Sequence, residues 1–200
     1  MKKIFDCITF FNENFMANLR FEILNDEVDF FVVCESVFDH KGKEKKINFN
    51  LINNKYKNKI IHIIHDKPFS VTNNIWQNQA EQREYIINAL NIAQDDDYIM
   101  FSDPDEIPNP DTLRRLNLKK KYGIFFQNMY CYKFNIFNQY ESPWEGTRVC
   151  KKKNLISIDY MRQKIVSKNL KQPFWKIYKE KNIEIIKKGG WHFNCLLTPQ

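Results

Sequence analysis

The sequence is poor in glycine and has no long apolar run, and these two shortages narrow the class of protein. Glycine occurs only 5 times, whereas hydrophobic residues make up 43% of the chain and aromatic residues 15%. This composition excludes disordered and collagen-like chains, and it predicts one globular domain over residues 1–200. No segment approaches the roughly 18 consecutive apolar residues of a membrane span, and the first residues lack the apolar core of a signal peptide.

Cysteine is also scarce, and the five cysteines show no short paired spacing. They are Cys7, Cys34, Cys131, Cys150 and Cys195. This pattern excludes the common zinc motifs and a disulfide framework. Because most of these residues lie inside apolar runs, we expect buried free thiols in a reducing compartment, either in the cytoplasm or peripherally at the inner face of a membrane.

Basic residues outnumber acidic ones, and this surplus indicates an anionic partner. The chain has 31 lysines and arginines against 24 acids, a formal net charge of +7 and a pI near 9.0. Nucleotides, phosphates, anionic lipid surfaces and nucleic acid all satisfy this balance, so charge alone does not choose among them.

Apolar runs alternate with amphipathic segments, which predicts an α/β fold with a mostly parallel sheet. We predict strands at residues 4–11, 29–34, 59–65, 98–101, 122–127, 129–137 and 183–186. We predict helices at residues 15–25, with Asn14 as the cap, and at 47–54, 75–93, 111–120 and 160–167. The segments 38–46 and 142–148 are predicted loops.

The acidic segment after residues 98–101 organises the functional prediction. Asp103 and Asp105 are two residues apart, so an extended backbone directs both carboxylates to the same side. Pro104 between them ends the strand pairing. Two like charges so close require a positive partner, and the simplest is a hard divalent cation at the carboxyl end of the strand. The alternative is an ordinary acidic turn.

A buried position is also predicted for Arg83, because it falls on the apolar stripe of the 75–93 helix. That stripe consists of Trp76, Ala80, Ile87 and Leu90. An inward guanidinium must meet an anion, so Arg83 pairs with Asp103 or Glu35 inside the protein, or it clamps a ligand phosphate. Both interpretations stay open.

Five ordered segments together resemble glycosyltransferase family 17. They are residues 9–13, Glu35-Ser36, Glu81-Gln82-Arg83, residues 102–108 and Gly190-Trp191-His192-Phe193. The resemblance covers nearly the whole chain. It implies a GT-A-type, Rossmann-like nucleotide-diphospho-sugar transferase fold, which has a mixed, mostly parallel sheet with helices on both faces. It further implies a D-x-D metal motif and an inverting mechanism.

The resemblance also assigns roles to particular residues. It implies that Asp103, Asp105 and His192 hold Mn²⁺ or Mg²⁺ and that the donor is UDP-N-acetylglucosamine or a related UDP-sugar. The donor-binding residues that follow are Phe11, Asn12, Glu13, Glu35, Arg83, Ser102 and Asp103. The acceptor is a glycan hydroxyl, and the candidates for its catalytic base are Glu145, beside Trp144, and Glu106.

The chain departs from the family pattern at its C-terminus. Members of the family continue into a further helix after the Trp-His motif, whereas this chain stops at Thr198-Pro199-Gln200, so we expect a C-terminally truncated domain. The membrane anchor of the vertebrate members has no counterpart in the sequence, so a glycoprotein acceptor in a secretory compartment does not carry over.

Two other classes fit part of the pattern. A metal-dependent phosphohydrolase also places an Asp-x-Asp pair after a strand, but normally near the N-terminus and with Thr or Val where this chain has Ile107. A nucleic-acid-binding module would explain the positive charge. It leaves unexplained the acidic segment that contains Asp103 and Asp105, which we call the acidic loop, because carboxylates repel a phosphate backbone. Nucleic acid is therefore not an expected partner.

Overall fold

A nine-stranded mixed sheet forms the centre of residues 2–195, the part of the chain that the structure, a computed structural model, describes. The strands are β1 Ile4–Phe10, β2 Phe30–Ser36, β3 Ile60–His65, β4 Tyr98–Ser102, β5 Glu106–Pro108, β6 Tyr122–Cys131, β7 Trp144–Lys151, β8 Ile183–Ile186 and β9 Gly190–Asn194. The predicted truncation point, Thr198-Pro199-Gln200, lies outside the described residues.

The same residues contain four α-helices and several short 3-10 segments. The α-helices are α1 Asn14–Leu24, α2 Ile75–Tyr85, α3 Pro110–Arg114 and α4 Ile158–Lys164. The 3-10 segments are Asn54–Lys59, Ile86–Ile92, Lys152–Asn154 and Ser167–Lys171. No helix within residues 2–195 has the length and apolarity that crossing a bilayer requires.

Most strand pairs in the sheet are parallel. The strand order is β3-β2-β1-β4-β7-β6-β9-β5, and β8 pairs with the first half of β6. The pairs among β1, β2, β3 and β4 are parallel, and so are those of β6 with β8 and β9. Only β7 and β5 run antiparallel to their neighbours. The α/β class and the mixed, mostly parallel sheet are therefore confirmed.

Helices cover both faces of the sheet, because each face carries its own apolar core. On one face, Phe21 and Leu24 of α1 pack with Leu113 of α3. On the other, Leu90 of the 3-10 segment packs with Met161 of α4. This two-sided burial explains why the central strands are almost continuously apolar.

The predicted loop at residues 142–148 is wrong from Trp144 onward, because β7 begins there. The strand lies between β4 and β6 and is buried from Gly146 to Cys150. The polar residues Thr147 and Arg148 indicated a loop, but both are buried and have hydrogen-bond partners inside the protein. The two strands predicted at 122–127 and 129–137 are likewise one strand, β6, which ends at Cys131.

The predicted helix at residues 47–54 is also wrong, because side chains of α1 hold most of this segment in an irregular, open conformation. Asn14 donates from Nδ2 to the carbonyl of Asn48 (2.7 Å) and accepts from the N–H of Asn50 (2.7 Å). Asn18, one turn later, donates from Nδ2 to the carbonyl of Asn50 (2.9 Å). Asn14 therefore serves this segment and does not cap α1.

The predicted helix at residues 75–93 is divided, and its buried face is polar. The α-helix ends at Tyr85, and the chain continues as a tighter 3-10 segment. Trp76 is 74% exposed and Ile87 40% exposed, so this part of the predicted apolar stripe does not face the core, whereas Leu90 does. Asn78, Gln82 and Arg83 are buried instead. The helix predicted at 111–120 is also shorter, because α3 ends at Arg114.

Thiol reactivity tests the burial pattern. We expect exposed Cys195 to react first, half-buried Cys131 to react more slowly, and buried Cys7, Cys34 and Cys150 to react only after unfolding. Burial raises the pKa of Cys34 and of Cys150 to about 12, which suppresses the reactive thiolate. The measurement is the time course of labelling by an aromatic disulfide at mildly alkaline pH, with and without urea.

The control for this experiment is Cys195→Ser, which removes the fast phase and leaves the total in urea lower by one thiol. Labelling of more than one thiol in this native variant would show that a core cysteine is accessible, because Cys131 is the one partly exposed thiol that remains.

Candidate functional site

A cleft of about 290 Å³ opens where β1 and β4 end and where β9 passes the acidic loop. It brings together five of the residues that the sequence singled out: Phe11, Glu13, Asp103, Asp105 and His192. Gln82 of α2 and His40 also line it. Ligands of open α/β sheets bind at such strand ends, so this cleft is the candidate active site.

Asp105 and His192 form a pair that joins the acidic loop to β9. His192 Nε2 lies 3.3 Å from Asp105 Oδ2, and the N–H of Phe193 donates to the Asp105 carbonyl (2.9 Å). Gly190 permits this approach, because it has a φ of +117° and a Cβ there would collide with the Ile107 carbonyl. Burial lowers the pKa of His192, but the hydrogen bond to Asp105 and the nearby acids outweigh it, so the pKa is raised.

Asp103 pairs with a cation that the chain itself supplies. Arg162 of α4 donates from Nη2 to Asp103 Oδ2 (2.5 Å) and to Glu106 Oε1 (2.9 Å), and from Nη1 to Glu106 Oε2 (3.1 Å). Burial and the Glu106 carboxylate raise the pKa of Asp103, and Arg162 partly offsets this. The guanidinium therefore lies between the carboxylates of Asp103 and Glu106, whereas the metal ion was predicted between Asp103 and Asp105.

The residues at the acidic loop fit a divalent cation that is only partly enclosed by protein. A carboxylate and an imidazole suit Mn²⁺. His192 would bind a cation through Nε2, the nitrogen that faces Asp105, once that nitrogen has lost its proton, while its Nδ1 is buried without a hydrogen-bond partner among the described residues. Within residues 2–195, no group of three or more His, Cys, Asp or Glu side chains is arranged to hold a metal. Several coordination positions would therefore be open to ligand oxygens.

A second arginine, Arg20, holds the acidic loop through buried hydrogen bonds. Arg20 of α1 is fully buried and donates to both carboxylate oxygens of Asp6 in β1, each at 2.6 Å. Its remaining donors reach the Glu106 carbonyl (2.5 Å) and the Ser102 hydroxyl (2.9 Å). The loop that carries Asp103 and Asp105 is thus fastened at both ends to one guanidinium.

Two residues predicted to bind the donor lie elsewhere. Ser102 is fully buried, and its hydroxyl bonds to Arg20 and to Thr147 Oγ1 (2.7 Å), so it faces the interior. Glu35 is also fully buried, and it accepts from Lys45 Nζ (2.7 Å) and from the N–H of Asn48 (2.7 Å). Both predictions are corrected: Ser102 supports the acidic loop, and Glu35 anchors Lys45 and Asn48 at the end of the 38–46 loop.

Arg83 forms an internal ion pair, although neither of the two predicted acids is its partner. Its Nη1 lies 2.9 Å from Asp159 Oδ1 at the start of α4, and its guanidinium packs over the ring of Phe101. It lies behind the cleft wall instead of clamping a ligand in it. The cleft-facing residue of this turn is Gln82, which binds His40 Nε2 through Oε1 (2.7 Å).

The two candidates for the catalytic base are both held by hydrogen bonds, and neither lines the cleft. Glu106 is buried, and besides Arg162 it accepts from Trp144 Nε1 (2.7 Å). Glu145 lies on β7 and accepts from the N–H and the hydroxyl of Ser167. Their assignment as the base stays a prediction, and the geometry gives each a positioning role.

At the end of β1, Glu13 shapes the loop that includes the other predicted donor residues. Its Oε2 accepts from the N–H groups of Phe11 (2.9 Å) and Asn12 (3.0 Å). Phe11 is 44% exposed and presents an aromatic face to the cleft. Asn12 is exposed beside it, and its role toward the donor stays a prediction.

Three of the charged residues that build the site, Asp6, Arg20 and Arg162, were not predicted from the sequence. A usable signal existed for two of them. Arg20 lies on the buried stripe of α1 with Met16 and Phe21, and Asp6 interrupts an otherwise apolar strand. The argument that predicted a buried Arg83 applies equally to Arg20. Arg162 offered no signal, because it looks like an ordinary basic residue of a surface helix.

Comparison with known proteins identifies the family. The model of glycosyltransferase family 17 matches residues 1–176, a range that ends before His192. None of the curated proteins compared with the chain matches it.

Solved structures similar to the chain share little sequence with it. A crystal structure of 4-diphosphocytidyl-2C-methyl-D-erythritol synthase has 14% identity and a TM-score of 0.44, over 76% of this chain and 77% of that one. A glycosyltransferase involved in the glycosylation of the major capsid of PBCV-1 has 11% identity and a TM-score of 0.41, over 92% and 80%. Likeness at this level carries no argument about function.

The buried Asp6–Arg20 pair yields a stability prediction. We expect Arg20→Met to destabilise the protein by about 3–5 kcal/mol, because Asp6 is then a buried charge without a partner. The measurement is the free energy of unfolding in urea. The double variant Asp6→Leu with Arg20→Met should lose less unfolding free energy than the single variant, because it removes both buried charges.

The matched control is Arg114→Met, which breaks an ion pair with Glu27 at a position where the arginine is 61% exposed. This change should leave the unfolding midpoint nearly unaltered. Equal decreases in unfolding free energy for Arg20→Met and Arg114→Met would show that the buried pair is no more important than an exposed one.

Proposed function

Because the chain belongs to glycosyltransferase family 17, we propose that it transfers N-acetylglucosamine from a UDP-sugar to a glycan hydroxyl with inversion at the anomeric carbon. Family membership makes it a glycosyltransferase, which favours this function over a phosphohydrolase or a nucleic-acid-binding module. The observation that carries the finer proposal is the meeting of Asp103, Asp105 and His192 in one cleft at the strand ends.

The cleft would hold the donor along the edge formed by the strand ends. Phe11 and Glu13, after β1, border the nucleoside in this proposal, and the Asp103–Asp105 loop lies toward the diphosphate. The acids that line the cleft are Glu13, Asp103 and Asp105. A diphosphate placed among three carboxylates is repelled unless a cation intervenes, which supports a metal requirement.

We assign the cation, Mn²⁺ or Mg²⁺, to Asp105 and His192; Asp103, whose carboxylate pairs with Arg162, would join them only after its side chain reorients. When bound, the ion would offset the negative charge that develops on the leaving nucleotide. The imidazole ligand favours Mn²⁺ over Mg²⁺. Arg162 and Arg20 contribute by holding the loop in one conformation before the donor arrives, which lowers the entropic cost of binding.

The acceptor would approach beside Trp144, which packs against His192 with ring centroids 4.8 Å apart. An acceptor hydroxyl must lose its proton as it attacks, and the candidates for that base remain Glu106 and Glu145. Glu106 is joined to Asp103 through Arg162, so it lies nearer to the acidic loop in the hydrogen-bond network.

Calorimetry with a panel of nucleotide sugars tests the donor and the metal. We expect UDP-N-acetylglucosamine to bind in the presence of Mn²⁺ and not after chelation, because the acidic cleft repels the free diphosphate. Asp105→Ala should weaken this binding by about 100-fold or more, since loss of even an outer-shell partner costs about 10–100-fold.

The control is Asp111→Ala, which removes an acid that is 72% exposed on α3. It should bind the donor like the wild type. Equal affinity with and without chelator would contradict the metal assignment. If only a different nucleotide sugar bound, that sugar nucleotide would be the donor instead of UDP-N-acetylglucosamine.

Amide variants test the base. We expect the true base, replaced as Glu106→Gln or Glu145→Gln, to lose about 10²–10⁴-fold in turnover while donor affinity stays unchanged. A variant that loses donor affinity and turnover together has lost a positioning residue. The configuration of the product, read by nuclear magnetic resonance, tests inversion independently of both variants.

A further inference from the structure

A short loop after α4 exposes four bulky apolar side chains next to one another. Phe174 is 84% exposed, Trp175 66%, Ile177 90% and Tyr178 70%. We call these four residues the apolar tip. None of them belongs to either core of the described residues. Contiguous exposed apolar side chains of this size are costly in water and mark a surface that binds something.

The backbone holds the tip in this outward arrangement. The N–H of Lys176 donates to the Pro173 carbonyl (3.1 Å), and the N–H of Lys179 donates to the Lys176 carbonyl (3.0 Å), which makes two successive turns. The rings of Phe174 and Trp175 pack edge to face, with centroids 5.2 Å apart. Two hydrogen-bonded turns therefore hold the side chains of the tip in their exposed positions.

The surroundings of the tip are strongly basic. Residues 164–181 contain six lysines and one acid, and that acid, Glu180, pairs with Lys121. Three of the lysines, Lys164, Lys168 and Lys179, line a cleft of about 380 Å³ together with Tyr178 of the tip and the single acid Glu180. Apolar groups that project outward thus stand beside a basic recess large enough for a phosphate headgroup.

We propose that the apolar tip and its lysines dock the protein on the surface of an anionic lipid bilayer. Aromatic side chains with polar edges partition into the headgroup region, and lysines beside them attract anionic lipids. Side chains exposed by 66–90% project from the surface, so a fluid bilayer can bury them without a complementary pocket. An acidic protein partner would need a groove shaped to fit all four.

This proposal is independent of the proposed transferase function. The tip lies on the loop after α4, and none of its four residues lines the cleft that contains Asp103, Asp105 and His192. Donor binding therefore serves as an internal control, since failure of lipid docking would leave it untouched.

Vesicle sedimentation with the full chain tests the proposal. We expect binding to vesicles of phosphatidylcholine mixed with phosphatidylglycerol, weak binding to phosphatidylcholine alone, and a loss of binding as salt rises. The double variant Phe174→Ser with Trp175→Ser should lower the partition coefficient about tenfold or more. Lys171→Gln should lower it about fivefold on anionic vesicles only.

The matched control is Trp76→Ser, because Trp76 is 74% exposed on α2, far along the chain from the tip. It should bind vesicles like the wild type, and all variants should keep the wild-type unfolding midpoint. Unchanged partitioning of the tip variant, or equal binding to neutral and anionic vesicles, would overturn the proposal. The proposal would also be overturned if the protein did not bind vesicles but self-associated, and if Trp175→Ser abolished that self-association. The tip would then contact a second copy of the chain.

Discussion

The ion pair between Asp6 and Arg20 is the constraint on which the site depends. Arg20 belongs to the first helix and Asp6 to the first strand, yet the same guanidinium holds the Ser102 hydroxyl and the Glu106 carbonyl on either side of the acidic loop. A fully buried guanidinium needs all of its donors satisfied, so the loop cannot move without leaving a charge unpaired. The position of Asp103 and Asp105 is therefore decided by the packing of α1 on β1.

Charge in the cleft is balanced in two different ways. Arg162 shares its one positive charge between Asp103 and Glu106, whereas Asp105 has a histidine beside it. Surplus negative charge therefore remains at the cleft, and Asp105 is the one carboxylate of the loop without a guanidinium partner among the described residues. A protein with net charge +7 thus keeps an acidic cleft, and an anionic sugar nucleotide fits it only with a counter-ion.

Much of the fold could be predicted from the sequence, because the parallel strands are continuous apolar runs and the acidic loop follows one of them. The errors have specific physical causes. Strand β7 looked like a loop because its polar residues find buried partners only after folding, and residues 47–54 are set by the side chains of Asn14 and Asn18. Local periodicity contains no information about such distant partners. For the same reason, Asp105 and His192 could be selected by type, while the pairing of Arg162 with Asp103 could not.

The late arrival of β9 has a consequence for biosynthesis. His192 reaches Asp105 across 87 positions in the chain, and β9 pairs with both β5 and β6. During translation the first three parallel strands and α1 can pack as soon as they emerge, since their contacts are close in sequence. The nascent polypeptide therefore carries these strands and the acidic loop before β9 is made, and the cleft is complete only once β9 has left the ribosome.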